Sequence, residues 1–155
     1  MSNASLKNTL QNDLNQAMKA GDETTKSTLR MVISAVRNAE VAGKQAVELS
    51  DAQVIDVLRA ESKKRAESAE LYADAGRGEL ADKERAEIAV IERYLPAAID
   101  ADALAAIVSD EVARAAAAGQ SGPKAMGVVI KAVKERVGGG ADGAVIAAAV
   151  KSALG

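Results

Sequence analysis

The chain has 155 residues, a net charge of −2, and neither cysteine nor histidine. The missing cysteine excludes disulfides, thiolate nucleophiles and zinc fingers. The missing histidine removes the commonest general base and the commonest transition-metal ligand. A net charge this close to zero does not by itself indicate a nucleic-acid partner.

Composition also indicates the fold class. Alanine accounts for 35 of the 155 residues, aromatic residues for 1%, and there are only two prolines. Alanine has the highest helix propensity but buries little area, so stability must come from close packing of helices. We therefore predict an all-α protein.

Caps and glycine stops predict four helices in the first part of the chain. The first runs from about residue 5 to residue 20 and stops at Gly21, and the second begins after the cap Asp22 and ends at Gly43. A capping box of Ser50 and Gln53 starts a long third helix, expected over residues 51–75. The fourth is expected over residues 79–94, before Pro96.

Apolar residues at helical spacing predict the buried faces of these helices. In the first two helices they are Leu6, Leu10, Leu14, Met18, Leu29, Val32, Ile33, Val36 and Val41. In the next two they are Val54, Ile55, Leu58, Ser62, Ala66, Ala69, Tyr72, Ile88, Ile91 and Leu95. Lys63-Lys64-Arg65, between Glu61 and Glu67, is interpreted as a solvated face with the i, i+4 ion pairs Glu61–Arg65 and Lys63–Glu67. Glu84, Glu87 and Glu92 are interpreted as helix surface, since a metal site without histidine is unfavourable.

The segment from Leu95-Pro96 to Asp100 predicts the domain boundary. Residues 1–96 would form an N-terminal bundle of about four helices, and residues 97–155 a small C-terminal module of three helices. We expect a hinge at residues 96–100, with the parts on either side moving as separate units.

Three helices are predicted in the C-terminal module. Asp100 caps the fifth helix, which ends at Gly119, and Gly122-Pro123 opens the sixth. Met126, Ile130, Val133 and Val137 form the apolar stripe of the sixth helix. The seventh begins after Asp142, which caps it. Gly138, Gly140 and Gly143 match the dinucleotide-binding string, but a helix precedes them where that motif requires a strand.

The C-terminal module carries the candidate site. From Val112 onward there are six lysines and arginines against two acids, and Lys124, Gly127, Lys131 and Lys134 share one helix face. A helix N-terminus follows a short glycine-rich loop, and both features attract anions. The candidate RNA-binding residues are Lys124, Gly127, Lys131, Lys134, Arg136, Gly140, Asp142 and Gly143. The alternative is an ordinary solvated amphipathic helix.

Several short motifs in order along nearly the whole chain carry a family resemblance. They are Ala17-Met18-Lys19, Thr28-Leu29-Arg30, Lys64-Arg65-Ala-Glu-Ser68 with Tyr72 and Ala73, Glu84, Glu87-Ile88, Tyr94-Leu95-Pro96, Met126-Gly127, Ala141-Asp142-Gly143 and Val150-Lys151. The chain thus resembles the YqeY family, which is similar to the tail domain of the B subunit of glutamyl/aspartyl-tRNA amidotransferase. The resemblance implies a helical bundle joined to a three-helix module, and an association with tRNA. Val128 and Gly140 stand where the family tends to carry lysine and arginine, so we expect modest binding.

The resulting hypothesis is a tRNA-associated accessory protein that binds the tRNA backbone, or a tRNA-handling protein, through its C-terminal basic residues. Tyr72 and Tyr94 are the only aromatics and are expected in the core, which favours contact with the backbone over stacking on bases. One alternative, implied by the family, is an amidotransferase-like enzyme with glutamine as nitrogen donor. We find no activated nucleophile for it and predict no catalytic residue, metal or cofactor. The other alternative is a protein–protein adaptor.

Localisation is expected from what the sequence lacks. No apolar run approaches a membrane span, and the N-terminus has no signal-peptide core. We expect a cytoplasmic protein without a membrane partner, and the sequence does not indicate its oligomeric state.

Overall fold

The structure is a computed structural model that describes residues 5–138 and 140–155. These residues form seven α-helices and no strand, so the all-α prediction is confirmed. The helices are α1 (Leu6–Ala20), α2 (Glu23–Val41), α3 (Asp51–Asp74), α4 (Gly78–Glu92), α5 (Ala101–Ala117), α6 (Met126–Val137) and α7 (Gly143–Leu154), with a 3-10 turn at Gly122–Ala125 before α6.

The helix starts follow from local capping. The side chains of Asp22 and Asp100 accept hydrogen bonds from backbone N–H groups three residues later, as N-caps do. Ser50 and Gln53 form the predicted capping box at the start of α3. Gly21 ends α1 with a φ of +70°, a left-handed conformation that glycine adopts without strain. The predicted caps are therefore confirmed.

The chain divides into two compact units, the first ending at Leu95 and the second beginning at Pro96. In the first unit, α3 and α4 are joined by residues 75–77 and pack along each other, and α1 and α2 form a second packed pair. All four helices of the first unit contribute to its core. The buried core residues are Leu10, Leu14, Leu29, Val32, Val36, Val54, Leu58, Val90 and Ile91.

Three residues predicted to point inward lie on the surface. Met18 is 48% exposed and Val41 is 62% exposed. Both lie in the last turn of their helices, where the neighbouring helices no longer cover the apolar stripe. Ala66 is also exposed, and the buried apolar positions in α4 that periodicity missed are Ala81 and Val90. An apolar stripe indicates the phase of the buried face but not how far along the helix burial extends.

Arg65 overturns the interpretation of Lys63-Lys64-Arg65 as a solvated face. Lys63 and Lys64 are exposed, but Arg65 is only 3% exposed. Its NH1 lies 2.8 Å from Glu61 Oε2, and its Nε lies 3.4 Å from Glu87 Oε2. Glu87 is buried as well, so its assignment to the helix surface was wrong. Among the described residues Glu61 pairs with Lys64 at 3.4 Å, and the predicted pair of Lys63 with Glu67 is not formed.

Glu40 fixes the segment between α2 and α3. Its backbone carbonyl accepts a hydrogen bond from Val47 N–H at 2.9 Å. Its carboxylate oxygen Oε2 accepts from Lys7 Nζ at 2.7 Å and from Leu49 N–H at 3.0 Å. The hydrogen bond from Lys7, followed by that from Leu49, holds the pKa of Glu40 below its ordinary value.

A Glu40→Gln substitution is expected to lower the free energy of unfolding at pH 7. Folding lowers the pKa of this carboxylate, so the carboxylate stabilises the protein at pH values above its ordinary pKa of 4.5. This contribution is lost as the pH falls through the pKa of the folded state. The difference between parent and variant should therefore shrink as the pH falls below that window. Urea titrations across this pH range measure it, with the exposed Glu48→Gln as control. A difference that is independent of pH would contradict the assignment.

The second unit is a three-helix module with its own core. The buried residues are Leu104, Val108, Ala115, Ala125, Val129, Val133, Ile146 and Val150. In α6, Val133 of the predicted stripe is buried, whereas Met126, Ile130 and Val137 are only partly buried. Val129 is the buried residue that the prediction missed, so the core face of α6 is rotated from the predicted stripe. No helix among the described residues has the length and apolar character needed to cross a membrane.

Candidate anion-binding face

The predicted cationic residues of α6 lie on one exposed face. Gly127, Lys131 and Lys134 are exposed and, at 100° per residue, fall within about 60° of one another around the helix axis. Lys124 is exposed in the 3-10 turn that leads into α6. We call Lys124, Gly127, Lys131 and Lys134 the basic face. The ion pairs within residues 5–138 and 140–155 include none of its three lysines.

Lys134 connects the basic face with the start of α7. A Cβ atom placed on Gly143 would lie 3.5 Å from Lys134 Nζ and 3.6 Å from its Cε. The ammonium group of Lys134 therefore lies against the first residue of α7. The structure thus brings together two candidate residues that the sequence separates by nine positions.

Asp142 has a structural role at the same corner. Its Oδ1 accepts a hydrogen bond from Ala144 N–H at 3.3 Å, and its backbone carbonyl accepts from Ile146 N–H at 3.0 Å. An aspartate at this N-cap offsets part of the positive end of the helix dipole. The attraction for an anion at this corner therefore comes mainly from lysine side chains, of which Lys134 lies against Gly143.

Arg136, a further candidate RNA-binding residue from the sequence, does not lie on the basic face. Two residues beyond Lys134 corresponds to a rotation of about 200°, so Arg136 projects from the other side of α6. Its NH1 lies 2.6 Å from Asp110 Oδ2 and 3.1 Å from Glu111 Oε1, both on α5. Hydrogen bonds to Glu111 and then Asp110 raise the pKa of Arg136 above its ordinary value. Its charge is thus compensated within the module.

Gly140 is also placed apart from the lysines. It is buried, its N–H donates to Val137 O at 2.9 Å, and its carbonyl accepts from Ile99 N–H at 2.8 Å. A Cβ atom at this position would lie 3.2 Å from Val137 O and 3.4 Å from Ala97 O. The absence of a side chain therefore lets the loop pack closely against residues 97–99. Gly140 serves loop packing here, and Gly139 beside it lies outside the described residues.

The family model described as Yqey-like protein matches residues 7–154. The chain belongs to the YqeY family. The resemblance inferred from motifs such as Met126-Gly127 and Ala141-Asp142-Gly143 is thereby confirmed. No curated protein matches the chain.

Neither tyrosine of this YqeY-family chain has a fully exposed ring on which a base could stack. Tyr72 and Tyr94 are both half-buried, and Tyr94 packs against the core of the first unit. The hydroxyl of Tyr94 donates to Asp13 Oδ2 at 2.6 Å, a contact across 81 positions that the sequence did not indicate. Burial, followed by this hydrogen bond, raises the pKa of Tyr94.

The described residues of this family member also contain no group of three or more side chains suited to hold a metal ion.

Proposed function

We propose that this member of the YqeY family is a tRNA-associated accessory protein that binds the tRNA backbone through its basic face. The observation that carries the proposal is the position of the Lys134 ammonium group against Gly143 at the start of α7. A phosphate at this corner would be attracted mainly by Lys134 and the other lysines of the basic face. The N-terminus of α7 would add a smaller contribution, since Asp142 already accepts from Ala144 N–H there. The association of the amidotransferase tail domain with tRNA favours tRNA as the partner.

The mode of binding follows from the side chains present. Lysines act as point charges for phosphate and carry no information about base sequence. With half-buried tyrosines as the only aromatics, single-stranded bases have no stacking partner of the usual kind. The expected interaction is therefore with the backbone and shape of folded RNA, and it should depend strongly on salt.

A Lys131→Glu/Lys134→Glu double variant is expected to bind tRNA at least about 100-fold more weakly than the parent chain at low salt, since each lost phosphate contact costs about tenfold there. Both side chains are exposed, so the fold should be retained. Fluorescence anisotropy with labelled tRNA measures the affinity, and circular dichroism checks the helical content. The matched control is Lys19→Glu/Lys83→Glu, which makes the same change in net charge at exposed positions of the first unit.

The outcomes separate the basic face from overall charge. If the control variant loses as much affinity as the test variant, only net charge matters. If the test variant binds like the parent, or neither binds at low salt, the basic face is ordinary solvated surface.

Because Arg136 is paired with Asp110 and Glu111, about three cations remain for phosphate, and log affinity should fall with log salt at a slope of roughly −2 to −3.

A further inference from the structure

A cavity of about 270 Å³ lies in the first unit, between the first half of α1 and the second half of α2. Its floor is apolar and consists of Leu10, Ile33 and Val36. Leu10 and Val36 are almost fully covered and Ile33 is half-buried, so Ile33 provides most of the apolar surface open to a ligand. The volume is close to the lower end of the range for small-molecule pockets. This cavity has no part in the proposed RNA contact, which uses residues of the second unit.

The rim of the cavity carries one cation more than it carries anions. Its charged residues are Lys7, Arg37 and Glu40. The carboxylate of Glu40 is already engaged, because its Oε2 accepts from Lys7 Nζ at 2.7 Å and from Leu49 N–H at 3.0 Å. Arg37 is exposed and takes part in no ion pair within the described residues. An entering ligand therefore meets the guanidinium of Arg37 as an uncompensated charge.

Hydrogen-bond donors also outnumber acceptors at this rim. The ammonium of Lys7 has three donors and gives one of them to Glu40. The guanidinium of Arg37 contributes five donors and no acceptor, and the amide of Asn8 contributes two more. A ligand that complements these groups must accept hydrogen bonds, and a carboxylate matches the planar fork of arginine.

We propose that this cavity binds a small amphipathic monocarboxylate. The aliphatic part of the ligand would lie mainly on Ile33, with Leu10 and Val36 beneath it, and its carboxylate would lie at the rim between Arg37 and Lys7. A single negative charge matches the single uncompensated cation. An amphipathic amine is disfavoured, because the one carboxylate of the rim is already neutralised by Lys7. This binding activity is additional to the proposed contact with RNA and does not depend on it.

The first test uses the whole chain and three probes. Butanoate, hexanoate and hexanol are titrated separately while the methyl signals of the protein are followed by NMR. Hexanoate should shift the methyl signals of Leu10, Ile33 and Val36 in a saturable way. Each additional buried methylene should tighten binding by about fourfold, equivalent to about 0.8 kcal/mol, so hexanoate should exceed butanoate by about 15-fold. Hexanol should bind at least about threefold more weakly than hexanoate, since it lacks the charge-assisted hydrogen bonds.

A pair of variants tests the role of Arg37. Arg37→Gln should lower the affinity for hexanoate to that for hexanol, while leaving the affinity for hexanol unchanged. The matched control is Arg30→Gln, because Arg30 is exposed on the same helix and lies outside the cavity, against Met18. Thermal melting verifies that both variants are folded, and the hexanoate and hexanol titrations of the parent test the anionic preference without any variant.

Three results would overturn the proposal. One is the absence of saturable shifts at the three floor residues. Another is equal affinity of the parent for hexanol and hexanoate, which would show that the carboxylate does not contribute to binding. The third is an Arg37→Gln variant that binds hexanoate as the parent does. None of these results bears on tRNA binding, so the two proposals fail independently.

Discussion

An Arg65→Met substitution is expected to lower the free energy of unfolding of the first unit by about 3–5 kcal/mol. Methionine retains an apolar chain of similar length but removes the guanidinium, leaving the buried carboxylate of Glu87 without its cation. The loss of one partner from a buried ion pair is costly because the remaining charge is desolvated and uncompensated. The contact of Arg65 NH1 with Glu61 at 2.8 Å is lost as well.

Urea unfolding followed by circular dichroism measures this effect, and Lys64→Met is the matched control. Lys64 is adjacent in sequence and pairs with the same Glu61, but its side chain is 70% exposed. Exposed pairs contribute little, so this variant should differ from the parent by no more than about 0.5 kcal/mol. A loss below about 1 kcal/mol for Arg65→Met would contradict the importance of the buried pair.

The double variant Arg65→Met/Glu87→Leu tests whether the stability lost by Arg65→Met comes from the unpaired charge of Glu87 or from lost packing. Replacing both members of a buried ion pair with apolar residues is often neutral or stabilising, since no unpaired charge remains. The double variant should therefore recover much of the stability lost by Arg65→Met. A double variant as unstable as the sum of the two single variants would mean that the two side chains act independently.

The helices were predictable because their signals are local. A cap such as Asp22 or Asp100 and its hydrogen-bonded N–H lie three residues apart, so the pattern is visible in the sequence. The same holds for the capping box at Ser50 and for the i, i+4 pair of Glu61 with Arg65. Such short-range interactions do not depend on how the helices pack.

Contacts between helices were not predictable in the same way. Glu87 was assigned to the surface because its partner, Arg65, lies on another helix. Likewise, Arg136 was placed with the cationic site because its partners Asp110 and Glu111 precede it by 26 and 25 residues. The charge of a side chain is readable from one sequence, but its compensation across helices requires the packing.

In the candidate site, too, local spacing was predictable and contacts between helices were not. Lys131 and Lys134 were predicted to share a face because their spacing of three residues fixes their relative angle on α6. That Lys134 contacts Gly143 depends on how α7 packs against α6, which periodicity does not determine. The burial of Gly140 against residues 97–99 is a contact of the same kind.

Limited proteolysis is expected to cut the chain between residues 96 and 98 before it cuts any helix. Pro96, Ala97 and Ala98 are exposed and belong to no helix. Within the segment predicted as a hinge, residues 96–100, Ile99 N–H donates to Gly140 O and Asp100 caps α5, so the expected cleavage is confined to residues 96–98. A segment without helical hydrogen bonds can enter a protease site without prior unfolding, whereas a helix must open locally first.

Elastase, which cleaves after small residues, provides an internal control in this alanine-rich chain. The run of alanines at residues 115–117 lies in α5 and should be cut more slowly than Ala97 and Ala98. Mass spectrometry of the first fragments identifies the order of cleavage.

Each fragment should remain helical, since each unit has its own buried core. A domain of about 60 residues buries only about 60% of its unfolded surface, so the C-terminal fragment should melt at the lower temperature. Initial cleavage within α3, or a first fragment that loses its helical signal on release, would contradict two separately folded units.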